Sequence, residues 1–186
     1  RLGPDDIALV VGLDRSAVNA GQRGDLDAAL AFARRGLAIR TEVLGNHNDT
    51  AYSQFLLGET QLAKQQLADA GASFARAGEI WLAVNGDKDP DVAKARSKQA
   101  EVLSLQGRPA DALALFATAI PAGEVAGAPP AQLAGMKLAH ARALWAAGKR
   151  AAAIALATEA KAAVAADPAA ARVIGELDSW LHDHRK

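Results

Sequence analysis

Apolar residues recur every three to four positions along several stretches of this chain. One stretch, GDLDAALAFARRGLAIRTEVLG, runs from Gly24 to Gly45 and has the periodicity of an amphipathic helix. Asp25 stands where a side chain would cap its first turn, and a glycine marks its end. Stretches of the same plan begin at Gln65, Gly107 and Gly148, so the period is nearly constant. A fixed period of this length, roughly 42 residues, predicts a solenoid of stacked structural units.

Three positions in each repeat hold only alanine or glycine. They lie five and twelve residues after the start of each stretch and seven residues before it. Where two antiparallel helices cross, a small side chain lets the backbones approach closely, and larger side chains fill the flanks. The positions that we expect at helix crossings are Ala29, Ala70, Ala112 and Ala153; Gly36, Ala77, Ala119 and Ala160; and Ala17, Gly58, Ala100 and Ala141.

The small residues, the turn glycine and the phrase RRGLAIRTEVLG followed by HNDTA resemble the tetratricopeptide repeat. The phrase returns as AGEIWLAVNG followed by DPDVA, and the long period is similar to that of the repeat form named after kinesin light chains. The resemblance covers nearly the whole chain. It implies an all-α fold: a right-handed α-solenoid of antiparallel helix pairs, about four repeats long, with a C-terminal capping helix. A HEAT or armadillo array, with a period of roughly 40–47 residues, is the alternative architecture.

The repeats predict one tetratricopeptide-like domain over residues 1–186. We place the four repeats at about 5–45, 48–86, 89–122 and 129–166, and the cap at 167–184. The pair Leu2-Gly3 repeats the junction Leu44-Gly45 one period earlier. We therefore expect a further repeat before Arg1 and regard the chain as a fragment of a longer one.

Prolines and a cap residue predict where the later helices end and begin. Pro121 should end the third repeat's second helix early, and Pro130 should restart the chain after an irregular or bent connection. Asp167 would cap the final helix, with a proline in its first turn. The apolar face of that helix would consist of Ile174, Leu177 and Leu181.

Composition narrows the function classes. The 186 residues are 51% hydrophobic but only 4% aromatic, and the abundant alanine suits closely packed helices. Lys+Arg and Asp+Glu both number 21, so the formal net charge is zero, which argues against contact with nucleic acid or a membrane surface. The absence of cysteine excludes disulfides and thiolate chemistry. We expect a cytoplasmic location, or an extracytoplasmic one if a membrane span precedes the segment in the full chain.

Candidate chemistry is sparse. The sequence has no GxGxxG, P-loop, GxSxG or HExxH motif, so we expect no catalytic residues, no cofactor and no metal. His182 and His184 do not share a helix face, and we expect both in a solvated tail. His47 is expected as a turn or cap residue, and His140 as a residue that packs within its helix pair or faces solvent.

The resemblance implies a partner-binding surface on the first helix of each pair, which lines the concave face of such arrays. The residues that we assign to this surface are Tyr52, Phe55, Glu59, Lys94, Ser97, Lys98, Glu101 and Arg142. Tyr52 and Phe55 would form an aromatic patch rimmed by charge, which is typical of a peptide groove. The alternative, which the sequence supports equally, is that these two rings fill space between neighbouring helices. Trp145 is expected to be a core residue, and Trp81 either a packing residue or a residue on the convex face.

Two binding modes of the family are incomplete here. Chaperone-tail binders hold a terminal carboxylate with lysine and asparagine; Lys94 and Lys98 match two of those places, but Asp14, Val18 and Leu56 occupy others. The paired asparagines that kinesin light chains carry on the concave helix are also missing. The ending GELDSWLHDHRK resembles the C-terminal repeat regions of large bacterial serine/threonine protein kinases.

We therefore predict a non-catalytic interaction module that binds a peptide or a partner protein on its concave face, within a signalling protein. One alternative is the regulatory region of a bacterial serine/threonine kinase, in which a small ligand between helices changes the curvature of the array. Another is a homo-oligomeric scaffold that stacks through an open N-terminal face. The sequence leaves the oligomeric state open.

Overall fold

The computed structural model describes residues 4–184, and the side chains of residues 9–184; the Leu2-Gly3 junction lies outside this part. Every regular element in the described part is helical. The elements are α1 (Pro4–Gln22), α2 (Leu26–Leu44), α3 (Asn48–Ala63), α4 (Leu67–Asn85), α5 (Pro90–Leu105), α6 (Pro109–Val125), α7 (Pro130–Ala146), α8 (Arg150–Val164), a 3-10 turn (Pro168–Ala170) and α9 (Ala171–His184). The predicted all-α class is confirmed.

Left-handed turns join the two helices of each pair. Gly24, Gly107 and Gly148 have φ angles of 79°, 76° and 77° at these turns. Gln65 takes the same place between α3 and α4 with a φ of 60°, a conformation that glycine adopts without steric cost. The four turn residues are the starts of the four periodic stretches, so the sequence period marks the hairpins.

Side-chain caps and prolines begin several helices. Asp25 accepts a hydrogen bond from the backbone N–H of Ala28 at 3.1 Å, as predicted from its position before α2. Asp167 likewise caps the 3-10 turn. The His47 Nδ1 accepts from the Asp49 N–H at 3.2 Å, which confirms its role as a cap.

The helices form two compact units. The first ends at Asp87 and contains α1 to α4; the second begins at Lys88 and contains α5 to α9. In the first unit each helix packs against the next one along the chain. In the second unit α5 and α6 form a pair, α7 packs against both and against α8, and α9 covers α8 and the adjoining side of α7. The assignment of one domain to all four repeats stays a prediction.

The small residues lie at the helix crossings. All twelve alanine and glycine positions are buried, and the alanines among them are at most 2% exposed. Gly58 shows why: a Cβ added there would lie 2.8 Å from the Phe74 ring of α4, closer than van der Waals contact allows. The predicted register is therefore confirmed.

The prediction that Pro121 ends its helix is wrong. Helix α6 continues through Pro121 to Val125, although the proline ring removes one backbone hydrogen bond. The turn beyond it carries Gly123, which is buried; a Cβ added there would lie 3.3 Å from Leu133 and 3.5 Å from Met136 of α7. Packing of this last turn outweighs the lost bond, and the connection to α7 is short rather than irregular.

The C-terminal helix covers the last pair, as predicted. Its buried residues are Val173, Leu177, Trp180 and Leu181, whereas Ile174 is only partly buried. Leu177 is fully buried in a cluster with Leu138 of α7. The expected cap is thus present, with its apolar face turned by one residue from the predicted one.

We predict that Ala112→Leu destabilises the second unit by about 1–3 kcal/mol, because Ala112 is 0% exposed at the α5–α6 crossing and a larger side chain must displace its neighbours. Ala117→Leu is the matched control, since Ala117 is exposed on the same helix, and it should change stability by no more than about 0.5 kcal/mol. Urea unfolding followed by circular dichroism measures both. Equal effects would refute the crossing assigned to Ala112.

Candidate partner-binding surface

Four exposed residues form a strip along the first helices of the two pairs in the first unit. Val11 and Val18 of α1 stand one repeat before Tyr52 and Glu59 of α3, so the two sets hold equivalent positions in successive repeats. Val11 is 58% exposed, Val18 38% and Tyr52 44%, and Glu59 is also exposed. A spacing of seven residues is about two helical turns, so each pair shares one helix face. We call these four residues the α1/α3 strip.

Phe55 belongs to the core and not to this surface. It is 2% exposed, and its ring centroid lies 5.2 Å from that of Phe74 and 5.7 Å from that of Trp81. The sequence left Tyr52 and Phe55 equally divided between groove and core. The structure separates them, because Phe55 faces α4 while Tyr52 faces solvent. Trp81, 3% exposed, is a packing residue, which is one of the two roles expected for it.

A buried ion pair lies beneath the strip. The Nη1 of Arg40 in α2 donates to the Asp14 carboxylate of α1 and to the Ser53 hydroxyl of α3, both at 2.5 Å. Arg40 is 7% exposed and Asp14 8%. The second carboxylate oxygen of Asp14 has no hydrogen-bond partner among residues 9–184, and a Cβ added at Gly36 would lie 3.2 Å from it. This network joins three helices behind the strip.

The ion pair and the aromatic pair are versions of one contact. Asp14 is the equivalent of Phe55, and Arg40 the equivalent of Trp81, each one repeat earlier in the sequence. The same interhelical contact is therefore an ion pair in the first repeat and a pair of aromatic rings in the second. From the sequence, Asp14 was placed at a position where chaperone-tail binders carry a clamp residue, and its pairing with Arg40 was not predicted. The sequence does contain a signal for this pair, because Asp14 and Arg40 carry opposite charges at the two positions where the next repeat has Phe55 and Trp81.

The Tyr52 hydroxyl lies in a negative local environment. Partial burial raises the pKa of Tyr52, the charges of Asp14 and Glu59 raise it further, and that of Arg40 lowers it. The hydroxyl therefore stays protonated at neutral pH and can donate a hydrogen bond from the strip.

The residues assigned to the surface in the second unit are held differently. Ser97 is 3% exposed and cannot reach a partner. Lys98 pairs with Glu101 at 2.9 Å, and Lys94 lies 3.6 Å from Asp91, all on α5. The side chains of Lys94, Lys98 and Glu101 are partly buried, while Arg142 of α7 is exposed.

Aromatic and histidine side chains pack at two places in the second unit. His140 stacks on Phe116 with a centroid distance of 5.1 Å, and burial lowers the pKa of His140, with a further contribution from the charge of Lys149. His184 stacks on Trp180 at 4.4 Å, and its ring nitrogen lies 2.7 Å from the Trp180 carbonyl oxygen. The prediction of a solvated His184 is therefore wrong, because the Trp180 ring covers it. His182 is exposed.

No group of three or more histidine, aspartate or glutamate side chains within residues 9–184 is arranged to hold a metal ion. Among the helices of the described chain, none combines the length and apolarity that crossing a membrane requires.

Comparison with known proteins identifies the repeat. Residues 61–124 match the tetratricopeptide repeat family. BtubC (BKLC) from P. vanneervenii has a similar structure, with a TM-score of 0.73 and 19% identity over 89% of this chain; the chain spans 66% of the length of BtubC. Two crystal structures of nearly identical TPR-like repeats of a putative kinesin light chain from Podosopora anserina, one of them a variant, have TM-scores of 0.71 and 0.69 at 16% identity. They cover 99% and 96% of this chain and 92% and 90% of their own. No curated protein matches the sequence.

Paired antiparallel helices that cross at small residues place the chain among the α-helical repeat proteins. More narrowly, residues 61–124 match the tetratricopeptide repeat, and the fold is similar to that of kinesin-light-chain-like repeats. The predicted family resemblance is confirmed. The tetratricopeptide repeat match over residues 61–124 supports a role in protein–protein interaction or as a scaffold.

We predict that Asp14→Ala destabilises the first unit by about 3–5 kcal/mol, because it leaves the Arg40 guanidinium buried without a counter-charge. The double variant Asp14→Leu/Arg40→Met should recover much of this loss, since it removes both charges together. Glu79→Ala is the control: its carboxylate is 65% exposed and pairs with Arg76 at the surface, so the change should be no more than about 0.5 kcal/mol. Denaturant unfolding of the three variants measures these effects. A loss for Asp14→Ala as small as that for Glu79→Ala would contradict the assignment.

We expect the second unit to lose stability as the pH falls below about 6.5, because His140 has a lowered pKa in the folded state and the unfolded chain binds the proton first. The melting temperature of the wild type should therefore fall more steeply between pH 8 and pH 5 than that of His140→Phe, which keeps a ring against Phe116. Parallel curves for the two proteins would remove His140 from the pH dependence.

Proposed function

We propose that the chain is a non-catalytic interaction module whose first unit binds an extended segment of a partner protein along the α1/α3 strip. The single observation that carries the proposal is the exposure of Tyr52. The Tyr52 side chain is 44% exposed, and the strip that it belongs to also carries two exposed valines. Tyrosine in an exposed apolar setting is typical of the centre of a binding surface.

The strip is suited to binding because its support is rigid. Arg40 ties α1, α2 and α3 together through Asp14 and Ser53. On the other side of α3, Phe55 packs against Phe74. A surface held in place before the partner arrives loses less conformational entropy when the complex forms.

In the second unit we propose that Lys94, Lys98, Glu101 and Arg142 rim a further partner contact. Arg142 is the strongest of the four, because it is exposed and forms no ion pair with any side chain between residues 9 and 184. Phe55 and Ser97 are omitted, since both are buried.

The C-terminal phrase resembles the repeat regions of bacterial serine/threonine kinases, and on this resemblance we place the chain within a signalling protein associated with such a kinase. The cytoplasmic location stays a prediction. The sensor alternative has one feature in its favour, a cleft of about 740 Å³ between α8 and α9. Lys161 and Asp178 bridge these helices there at 2.5 Å. Because these two charges already neutralise each other, the exposed strip is the better-supported site.

The test is a capture of partner proteins from a lysate of the source organism, compared between the wild type and Tyr52→Asp. We expect Tyr52→Asp to lose a partner that the wild type retains, because a charge replaces the central ring of the strip. Val43→Asp is the matched control, since Val43 is 40% exposed on α2, outside the strip, and it should bind as the wild type does. Circular dichroism must first show that all three proteins are folded. Equal recovery by all three would refute binding at the strip.

A further inference from the structure

The charges around the α1/α3 strip indicate what kind of segment it binds. We propose that the strip takes a basic and apolar partner segment, in which an apolar side chain packs against Tyr52, Val11 and Val18 and a lysine or arginine pairs with Glu59. This inference rests on the proposed function and adds the chemistry of the partner to it.

Glu59 is a carboxylate without a counter-charge among the residues whose side chains are described. It is exposed on α3 and forms no salt bridge with any side chain between residues 9 and 184. Two other acidic groups of the first unit are paired by contrast, Asp27 with Lys64 and Glu79 with Arg76. A cation brought by a partner would therefore gain a full interaction at Glu59 without first displacing an existing one.

Two cations of the first unit, Arg40 and Arg15, lie beside or beneath the strip, and neither forms a salt bridge with Glu59. Arg40 is buried and donates its Nη1 to Asp14 and Ser53. Arg15 is exposed and flanks the α1 part of the strip, since it lies four residues after Val11 and three before Val18. It lies on the side of that helix face away from Asp14, and Asp14 is the residue that is linked to α2 and α3 through Arg40. The face of α3 that carries Tyr52 and Glu59 is thus left with negative charge.

The Tyr52 ring supports the same sign of charge. The carboxylates of Asp14 and Glu59 both act on its hydroxyl, and the single opposing contribution comes from Arg40. The face of an aromatic ring also attracts cations. An acidic segment would meet repulsion at Glu59 and no free cation on the described part of α3 to offset it.

The helix geometry sets the spacing within the segment. Tyr52 and Glu59 are seven residues apart on one helix face, which corresponds to about 10 Å along the axis. An extended chain advances about 3.3 Å per residue, so the apolar residue and the cation should stand two to four residues apart. The protonated Tyr52 hydroxyl can donate to a backbone carbonyl of the segment.

The test selects binders from random short peptides displayed on phage, with the wild type, Tyr52→Ala, Glu59→Lys and Glu42→Lys as targets. Glu42→Lys is the matched control, because Glu42 is exposed on α2 outside the strip and the charge change is the same. The wild type and Glu42→Lys should enrich peptides with a lysine or arginine two to four residues from an apolar residue. Glu59→Lys should lose this preference and favour aspartate or glutamate.

Affinities measured by fluorescence anisotropy complete the test. A selected basic peptide should bind Glu59→Lys roughly tenfold more weakly than the wild type, should bind Glu42→Lys equally well, and should weaken as salt is added. Circular dichroism confirms that each variant is folded.

The outcomes separate this inference from the proposed function. Peptides that need Tyr52 but show no basic residue, or an acidic one, overturn the inference and leave the proposed function standing. Peptides whose binding is indifferent to Tyr52→Ala overturn both. Self-association of the wild type that Tyr52→Ala abolishes would show that a second copy of the chain occupies the strip, and would also overturn the inference.

Discussion

The close approach of paired helices at small residues is the constraint on which this structure depends. At Gly58 the α3 backbone lies so near the Phe74 ring that a single added carbon would come within 2.8 Å of it. Equivalent alanines and glycines recur at every crossing, and the large side chains are thereby directed to the flanks. Because the backbones are fixed at these points, the remaining positions of each repeat can change chemistry without changing the fold.

One pair of positions illustrates this freedom. Asp14 and Arg40 form a buried ion pair in the first repeat, and the equivalent Phe55 and Trp81 form an aromatic contact in the second. Either version supports the exposed face of the first helix, on which Tyr52 lies. The candidate binding surface is therefore a consequence of the repeat. A buried residue such as Phe55, three residues after Tyr52, fixes the helix in place, and the exposed positions are free to carry binding side chains.

Much of the fold could be predicted from the sequence, because a nearly constant repeat period and recurring small residues can be read along the chain. The candidate site could be predicted only in part. Tyr52 and Phe55 are three residues apart on one helix, and which of them is buried depends on the position of α4, a tertiary fact. The Asp14–Arg40 pair likewise joins residues far apart in sequence. The end of α6 was predicted wrongly at Pro121, because the packing of the following turn, and not the local propensity of proline, decides where this helix ends.

The central claim is that a partner lies against the exposed strip of α1 and α3 and not against the second helices. The most direct measurement replaces Tyr52, and separately Val43, with a photo-cross-linking phenylalanine derivative and illuminates the protein in the presence of its captured partner. The account predicts a covalent adduct from position 52 and none from position 43, because Val43 is similarly exposed but lies on α2. An adduct from position 43 alone, or equal yields from both positions, would contradict it.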